Sequence, residues 1–252
     1  MNILSLPVPI LERVADHLIT SNDDAKQLLL NHPLQPFLLQ KKHQLVAKIG
    51  SHKYLDTYIG LGLTRVLVIG LSVSAGFVER LLAAFPHLTQ LRFSHCDFAC
   101  QIHHYPPTLS HLSFEYCTGQ EHLHNLPPTL LTLSLTGCLL RSTLIDHLPG
   151  GLHSLQLRKM FYFDSGLITA IRALPALHAL DLSGTEWLCP DHIHALLNNL
   201  PTLRSLTLYD CPQLTSKLLD TLNRRTLRIL HNCKLKDDTE EAVREYLISL
   251  IS

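Results

Sequence analysis

The stretch Leu-Pro-Pro-Thr-Leu-Leu-Thr-Leu-Ser-Leu-Thr-Gly-Cys, residues 126–138, decides the fold, because it returns with variation along most of the chain. Its core is Leu130, Leu133, Leu135 and Cys138, which reads L-x-x-L-x-L-x-x-C. The same frame stands at Leu88/Leu91/Phe93/Cys96 and at Leu109/Leu112/Phe114/Cys117. It continues at Leu152/Leu155/Leu157/Met160, Leu177/Leu180/Leu182/Thr185 and Leu203/Leu206/Leu208/Cys211. A looser copy is Leu63/Val66/Val68/Leu71, and a degenerate one begins at Leu227/Leu230. Side chains two apart in an extended chain point the same way. Leu133 and Leu135 therefore face inward, while Thr132, Ser134 and Thr136 face outward. One such strand cannot bury its leucines alone, whereas stacked copies form a parallel sheet over a continuous core.

This frame resembles the leucine-rich repeat. The resemblance implies an α/β solenoid with a curved parallel sheet and a convex side of mixed short and helical segments. The spacing from Leu63 to Leu88 is 25 residues, and Leu88, Leu109 and Leu130 are 21 apart. The next intervals are 22, 25, 26 and 24, reaching Leu152, Leu177, Leu203 and Leu227. Long repeats leave room for an outer helix, and residues 74–85, 165–173, 190–199 and 215–223 read that way. Short repeats return through extended segments at Pro106-Pro107, Pro127-Pro128 and Pro149. The expected shape is curved where helices widen the outer side and flatter between.

Composition narrows the function. Lys+Arg and Asp+Glu balance at 21 each, so nothing favours nucleic acid or an anionic membrane as the main partner. No apolar run is long enough to span a bilayer. Glu12, Arg13 and Asp16 interrupt the N-terminal apolar stretch before a signal-peptide core forms. Of seven cysteines, Cys96, Cys117, Cys138 and Cys211 share one repeat position and are expected to stack as buried thiols, which fits a reducing, cytoplasmic compartment.

Residues 1–50 differ from the repeats at 51–235 and from residues 236–252, which read as a C-terminal helical cap. Pro7 and Pro9 suit the first turn of a helix, and Ile10, Leu11, Val14 and Leu18 form its apolar stripe. A second helix carries Leu28, Leu29 and Leu30; a third, from about Phe37, carries Leu38, Leu45 and Ile49 and stops at Gly50. Leu6-Pro7, Ile10-Leu11, Val14 and Leu18 resemble the opening of an F-box, and the whole chain resembles an F-box protein with leucine-rich repeats. That resemblance implies a substrate-recognition subunit of a Skp–cullin–F-box ubiquitin ligase. Leu6, Pro7, Ile10, Leu11 and Val14 would dock on the Skp adaptor, and the repeats would hold a protein substrate. The plainer alternative is a repeat-based binding module whose front helices only cap the solenoid. The Leu-Pro-Pro-Thr-Leu spacing is also similar to short repeats of bacterial effectors, which implies secretion from a bacterium into a host cytosol.

No catalytic chemistry is expected of this chain. His95 and Cys96 are neighbours on a strand and face opposite ways, so they cannot form the bond that activates a thiol. The repeats run to about residue 235 and leave no room here for a catalytic-cysteine ligase domain. No metal or other cofactor is expected either. Cys96, Cys100, His103 and His104, and the pairs His122/His124 and His192/His194, offer no four converging ligands. The binding surface is expected on the third, fifth, seventh and eighth residues of each frame. Most of these are small and polar; the exceptions are Arg92, Glu115, Tyr116, Arg158, Lys159, Tyr209 and Asp210. Tyrosine and arginine are enriched among residues that carry binding energy, so these seven are the candidate substrate contacts.

Overall fold

The inward residues of every frame do line up. The computed structural model describes residues 42–119, 125–138, 148–160, 165–186, 188–215 and 230–234, with Val8, Leu11, Leu38 and Leu218. In chain order the strands are β1 (Ala47–Ile49), β2 (Arg65–Ile69), β3 (Ser72–Val73), β4 (Gln90–Ser94), β5 (Asp97–Phe98) and β6 (His111–Glu115). They continue as β7 (Thr132–Thr136), β8 (Ser154–Arg158), β9 (Ala179–Asp181), β10 (Ser205–Tyr209) and β11 (Leu230–Lys234). Nine of them form one sheet in the order β1-β2-β4-β6-β7-β8-β9-β10-β11. Every neighbouring pair is parallel. Register follows the frame: Leu91, Leu112, Leu133 and Leu155 pair in sequence, as do Phe93, Phe114, Leu135 and Leu157. β3 and β5 make a second, two-stranded sheet just past the ends of β2 and β4.

Burial alternates along each main strand, with the fourth and sixth frame residues inside. Leu88, Leu109, Leu130, Leu152 and Leu177, the first residues of their frames, are fully buried. Each buried leucine contributes about 1.5–3 kcal/mol of transfer free energy, and this column is the main stabilising term. Where the sixth residue is aromatic, Phe93 and Phe114 stack at 5.4 Å, and Phe98 meets Phe93 edge-on at 5.0 Å. The four shared-position cysteines are buried free thiols. Cys117 hydrogen-bonds to Cys96 and lowers that thiol to about 7, while the same bond and burial push Cys117 upward.

The proline segments have a common geometry. The amide N–H of Leu109, Leu130 and Leu152 donates to the carbonyl of Pro106, Pro127 and Pro149, at 3.0 Å each time. The threonine of Pro-Pro-Thr-Leu reaches back one repeat: Thr108 Oγ1 donates to the Leu88 carbonyl at 2.8 Å and Thr129 Oγ1 to that of Leu109 at 3.0 Å. Each short turn is thus stitched to its predecessor. Long repeats carry α1 (Ala75–Ala84), α2 (Ser165–Arg172) and α3 (Pro190–Asn199) as expected. Ser74 caps α1 by accepting from the Phe77 amide, and Pro190 opens α3, where its missing N–H is not needed.

The front of the chain departs from expectation at one place. The third helix does not run to Gly50. Lys42–Gln44 is a short 3-10 turn, and Ala47–Ile49 is a strand paired in register with Val66–Val68 of β2. Leu45 and Ile49 are four apart, which imitates a helical face, but sheet pairing overrides the local pattern. The sheet therefore begins three residues inside the front unit. The connector after it is a 3-10 helix, His52–Tyr58, anchored where the buried Tyr58 hydroxyl donates to the Lys48 carbonyl at 2.9 Å. Val8, Leu11 and Leu38 are helical; Leu11 and Leu38 are buried in the core and Val8 is exposed. Leu6, Pro7, Ile10 and Val14, the outer helix at 215–223 apart from Thr215 and Leu218, and the C-terminal cap lie outside the described residues.

Candidate functional site

The outward side chains of β2 to β10 cover one open sheet face, and the seven candidate contacts all stand on it. Arg92 is a fifth residue of its frame, Glu115, Arg158 and Tyr209 are seventh residues, and Tyr116, Lys159 and Asp210 are eighth residues. The eighth position has its own backbone rule. In the seven frames from Leu63 to Leu203 it takes a left-handed conformation: Gly70 (φ 63°), His95 (53°), Tyr116 (48°), Gly137 (61°), Lys159 (52°), Gly184 (71°) and Asp210 (58°). The turn is needed because the strand ends at the seventh residue while the ninth must point into the core. Its N–H stays in the ladder, donating to the seventh-residue carbonyl of the next repeat. Examples are His95 to Glu115 at 2.8 Å, Tyr116 to Thr136 at 2.8 Å and Lys159 to Ser183 at 2.8 Å. Glycine takes this conformation freely, but a residue with a Cβ pays about 1–2 kcal/mol. His95, Tyr116, Lys159 and Asp210 keep side chains there despite that cost.

What those side chains do is visible across the middle of the face. Tyr116 lies over Gly137; a Cβ on Gly137 would fall 2.5 Å from Cδ1 of the ring and 2.6 Å from Cε1. With that space open, the ring bridges a whole repeat, and its hydroxyl accepts from Lys159 Nζ at 3.0 Å. Behind it, His95 packs on the Tyr116 ring with centroids 5.3 Å apart. The Lys159 ammonium is held above its ordinary value, first by the Tyr116 hydroxyl and then by smaller contributions including Asp210 and Glu115.

Two ion pairs flank this bridge. Upstream, Arg92 donates to Glu115, which also accepts from Ser94 Oγ at 3.5 Å. Downstream, Arg158 Nε donates to Asp181 at 2.6 Å. Among the described residues Asp181 is the one charged residue buried on this face; its other oxygen accepts from the Ser183 amide at 3.0 Å and the Ser183 hydroxyl at 2.6 Å. Three donors satisfy the buried carboxylate, as burial of a charge demands. Arg158 thus supports the sheet as well as presenting charge. Tyr209 stands beyond it, 49% exposed, and Tyr116 is 39% exposed. The structure gathers Tyr116 and Lys159, pairs Arg92 with Glu115, and sets Arg158 on Asp181.

Sequence reasoning passed over His95, Gly137 and Asp181. For His95 and Gly137 the available signal was that Gly70, Gly137 and Gly184 share the eighth position, which marks a left-handed site. Asp181 gave no signal, because its partner lies 23 residues away.

No protein-family model matches this chain, and no curated protein matches it. Among solved structures it is similar to CroV588, described as a novel circular LRR protein. The match covers 69% of this chain at 18% identity with a TM-score of 0.38. It spans only 30% of that chain.

Among the described residues, no three histidine, cysteine or carboxylate side chains gather as a metal cluster. His95 is exposed and Cys96 buried, facing opposite ways as expected. His122 and His124 lie outside the described residues. No described helix is long and apolar enough to cross a membrane.

Proposed function

We propose that this chain is a protein-binding leucine-rich-repeat module whose open sheet face holds a protein partner. The observation that carries this is the Tyr116–Gly137–Lys159 bridge. Residues kept in costly backbone conformations cluster at ligand clamps, and here three left-handed positions combine to lay one aromatic ring flat across the face. Exposed Tyr116 and Tyr209 supply apolar area at its middle and far side, with the Arg158–Asp181 pair between them.

The finer reading is that the module is a substrate receptor in a Skp–cullin–F-box ligase. What supports it is the match of Leu6-Pro7, Ile10-Leu11, Val14 and Leu18 to the F-box opening. The join adds to it: β1 pairs directly with β2, so no loose linker separates the front segment from the sheet. A bound substrate would then sit at a fixed offset from the adaptor. Catalysis would belong to the recruited conjugating enzyme, this chain supplying proximity. Leu11 is buried in the core, so the adaptor contact falls to Leu6, Pro7, Ile10 and Val14. The resemblance of the proline repeats to those of bacterial effectors supports a reading in which this activity is exerted in the cytosol of a eukaryotic host.

The test has two arms, both read after capture from eukaryotic lysate. Leu6→Ala with Pro7→Ala removes the Skp adaptor from the captured proteins and leaves the melting temperature in place. Loss of repeat stability in that variant would mean the front helices are a cap. Tyr116→Ala with Tyr209→Ala weakens the substrate at least tenfold, about 1.4 kcal/mol, and spares the adaptor. Unchanged substrate affinity would move the site to the convex loops around His103 and His104.

A further inference from the structure

Each main-sheet strand from β4 to β10 is entered through the same junction. The carbonyl of a frame's second residue accepts from the second and third amides of the next frame. Thr64 accepts from Thr89 and Gln90 at 2.8 and 3.0 Å, and the pattern runs on to His178, which accepts from Arg204 and Ser205 at 2.8 and 3.0 Å. The second and third residues therefore form one continuous row at the end of the sheet where the strands begin. Charge is divided unevenly between this entry row and the rest of the face. Among the described residues the carboxylates of the face are Asp181, Glu115 and Asp210, at fifth, seventh and eighth positions. Arg158 and Arg92 pair with the first two, and Asp210 acts on Lys159. The first three positions of the seven frames from Leu63 to Leu203 hold neither Asp nor Glu. They hold Arg65 and Arg204 at the two ends, with His111, His153 and His178 between. Arg65 has only neutral partners: its Nε donates to Gln90 Oε1 at 2.7 Å and its Nη1 to the Gln44 carbonyl at 3.1 Å. The exposed Arg204 side chain has no hydrogen bond or ion pair among the described residues. Burial first, and then the charge of Arg65, hold His111 below its ordinary value.

We infer that, on the reading of the open face as a protein-binding surface, its entry row takes an acidic segment of that protein partner, extended across the strands with an apolar residue on Leu131. The charge complement is one-sided: a carboxylate laid along this row meets cations, imidazoles and hydroxyls, whereas the strand ends beyond it already hold carboxylates of their own. Arg204 offers a whole guanidinium fork and Arg65 its Nη2, and such forks match carboxylate geometry. From β2 to β10 the sheet takes six steps, and at about 4.8 Å each this separates the two arginines by about 29 Å along the sheet. An extended chain at about 3.3 Å per residue covers that span in about nine residues. Leu131, at the middle of the row, is 42% exposed and gives the segment its one apolar seat there. A single nucleic-acid strand fits less well. It needs a cationic groove that tracks its phosphates, and this row sets its two full charges at the ends with a leucine between.

The probe is an acetylated, amidated peptide of four glutamates, one leucine and four glutamates, titrated into the full chain at low ionic strength. Calorimetry gives the affinity and amide chemical shifts give the place. Shifts are expected at 64–65, 110–111, 131–132, 153–154 and 204–205. The same peptide with glutamine for glutamate binds about tenfold more weakly or less, and Arg65→Gln and Arg204→Gln each cost about threefold, the size of an exposed ion pair. Raising salt from about 20 to about 150 mM weakens the glutamate peptide. Arg172→Gln, the same charge change on the exposed side of α2, leaves its affinity in place. Equal affinity for the glutamine peptide, no binding of the glutamate peptide, shifts centred elsewhere, or parental affinity in both arginine variants overturns the assignment. So does a nine-nucleotide oligothymidylate that binds as tightly, since the row would then hold any polyanion. The two readings fail separately. An inert glutamate peptide, with partner capture still lost in Tyr116→Ala with Tyr209→Ala, rejects the acidic segment and keeps the protein-binding face. A peptide bound at the row, with capture unchanged in that variant, rejects the tyrosine site and keeps the acidic segment.

Discussion

Alanine at Gly137 separates two consequences of the left-handed row. Gly137 sits at φ 61°, where a Cβ costs about 1–2 kcal/mol. Its new methyl would also fall 2.5 and 2.6 Å from two carbons of the Tyr116 ring, against about 3.5–4.0 Å for a comfortable carbon contact. The ring therefore moves by about an ångström, away from the 3.0 Å bond to Lys159. Gly70 is the reference, because it has φ 63° and nothing within 4 Å of its would-be Cβ. Gly70→Ala carries the backbone cost alone. Gly70→Ala is expected to lose about 1–2 kcal/mol in denaturant unfolding and Gly137→Ala at least as much, with a fall in melting temperature of about 2–4 °C per kcal/mol. Only Gly137→Ala shifts the ring resonances of Tyr116 and of His95 stacked behind it. If Gly70→Ala leaves stability unchanged, the eighth position does not hold a left-handed residue. If Tyr116 resonances respond equally to both changes, the ring does not lie over Gly137.

The two arginine pairs are expected to differ. Arg92→Ala exposes Glu115, already 28% exposed at the side chain, and changes stability by less than about 1 kcal/mol. Arg158→Ala leaves Asp181, only 10% exposed, with Ser183 as its remaining donor, and costs about 1–3 kcal/mol; equal unfolding midpoints for the two variants would contradict the burial of Asp181. Among the described cysteines, Cys100 and Cys189 are half-buried and should react first with a thiol reagent under native conditions. Cys96, Cys117, Cys138 and Cys211 should react only at the rate of unfolding, as followed by mass spectrometry of labelled peptides.

The parts of this fold that were legible in the sequence are those set by local chemistry. Leucines two apart, turns closed by proline carbonyls, and helices opened by Ser74 or Pro190 all act within a few residues of their signal. The expected helix at 190–199 matches α3, and that at 74–85 differs from α1 by one residue at each end. β1 was hidden because Ala47-Lys48-Ile49 is too short to declare a period, and only β2 makes it a strand. The open face was half legible. Its residues follow from the frame, but their pairings do not, since Tyr116 meets Lys159 43 residues away and Arg158 meets Asp181 23 away. Partners at such separations are chosen by sheet register.

The short β1 strand governs how the chain can be cut. A fragment starting at residue 51 would bare the outer edge of β2 at Val66–Val68, leaving those main-chain groups facing water on that side. It would also strip the Gln44 carbonyl from Arg65, at 3.1 Å, and the Lys48 carbonyl from the buried Tyr58 hydroxyl. A bare parallel edge over an apolar core recruits another copy of itself. Repeats isolated in this way would pair edge to edge and imitate a dimer, whereas a fragment starting at residue 42 keeps its own selvage.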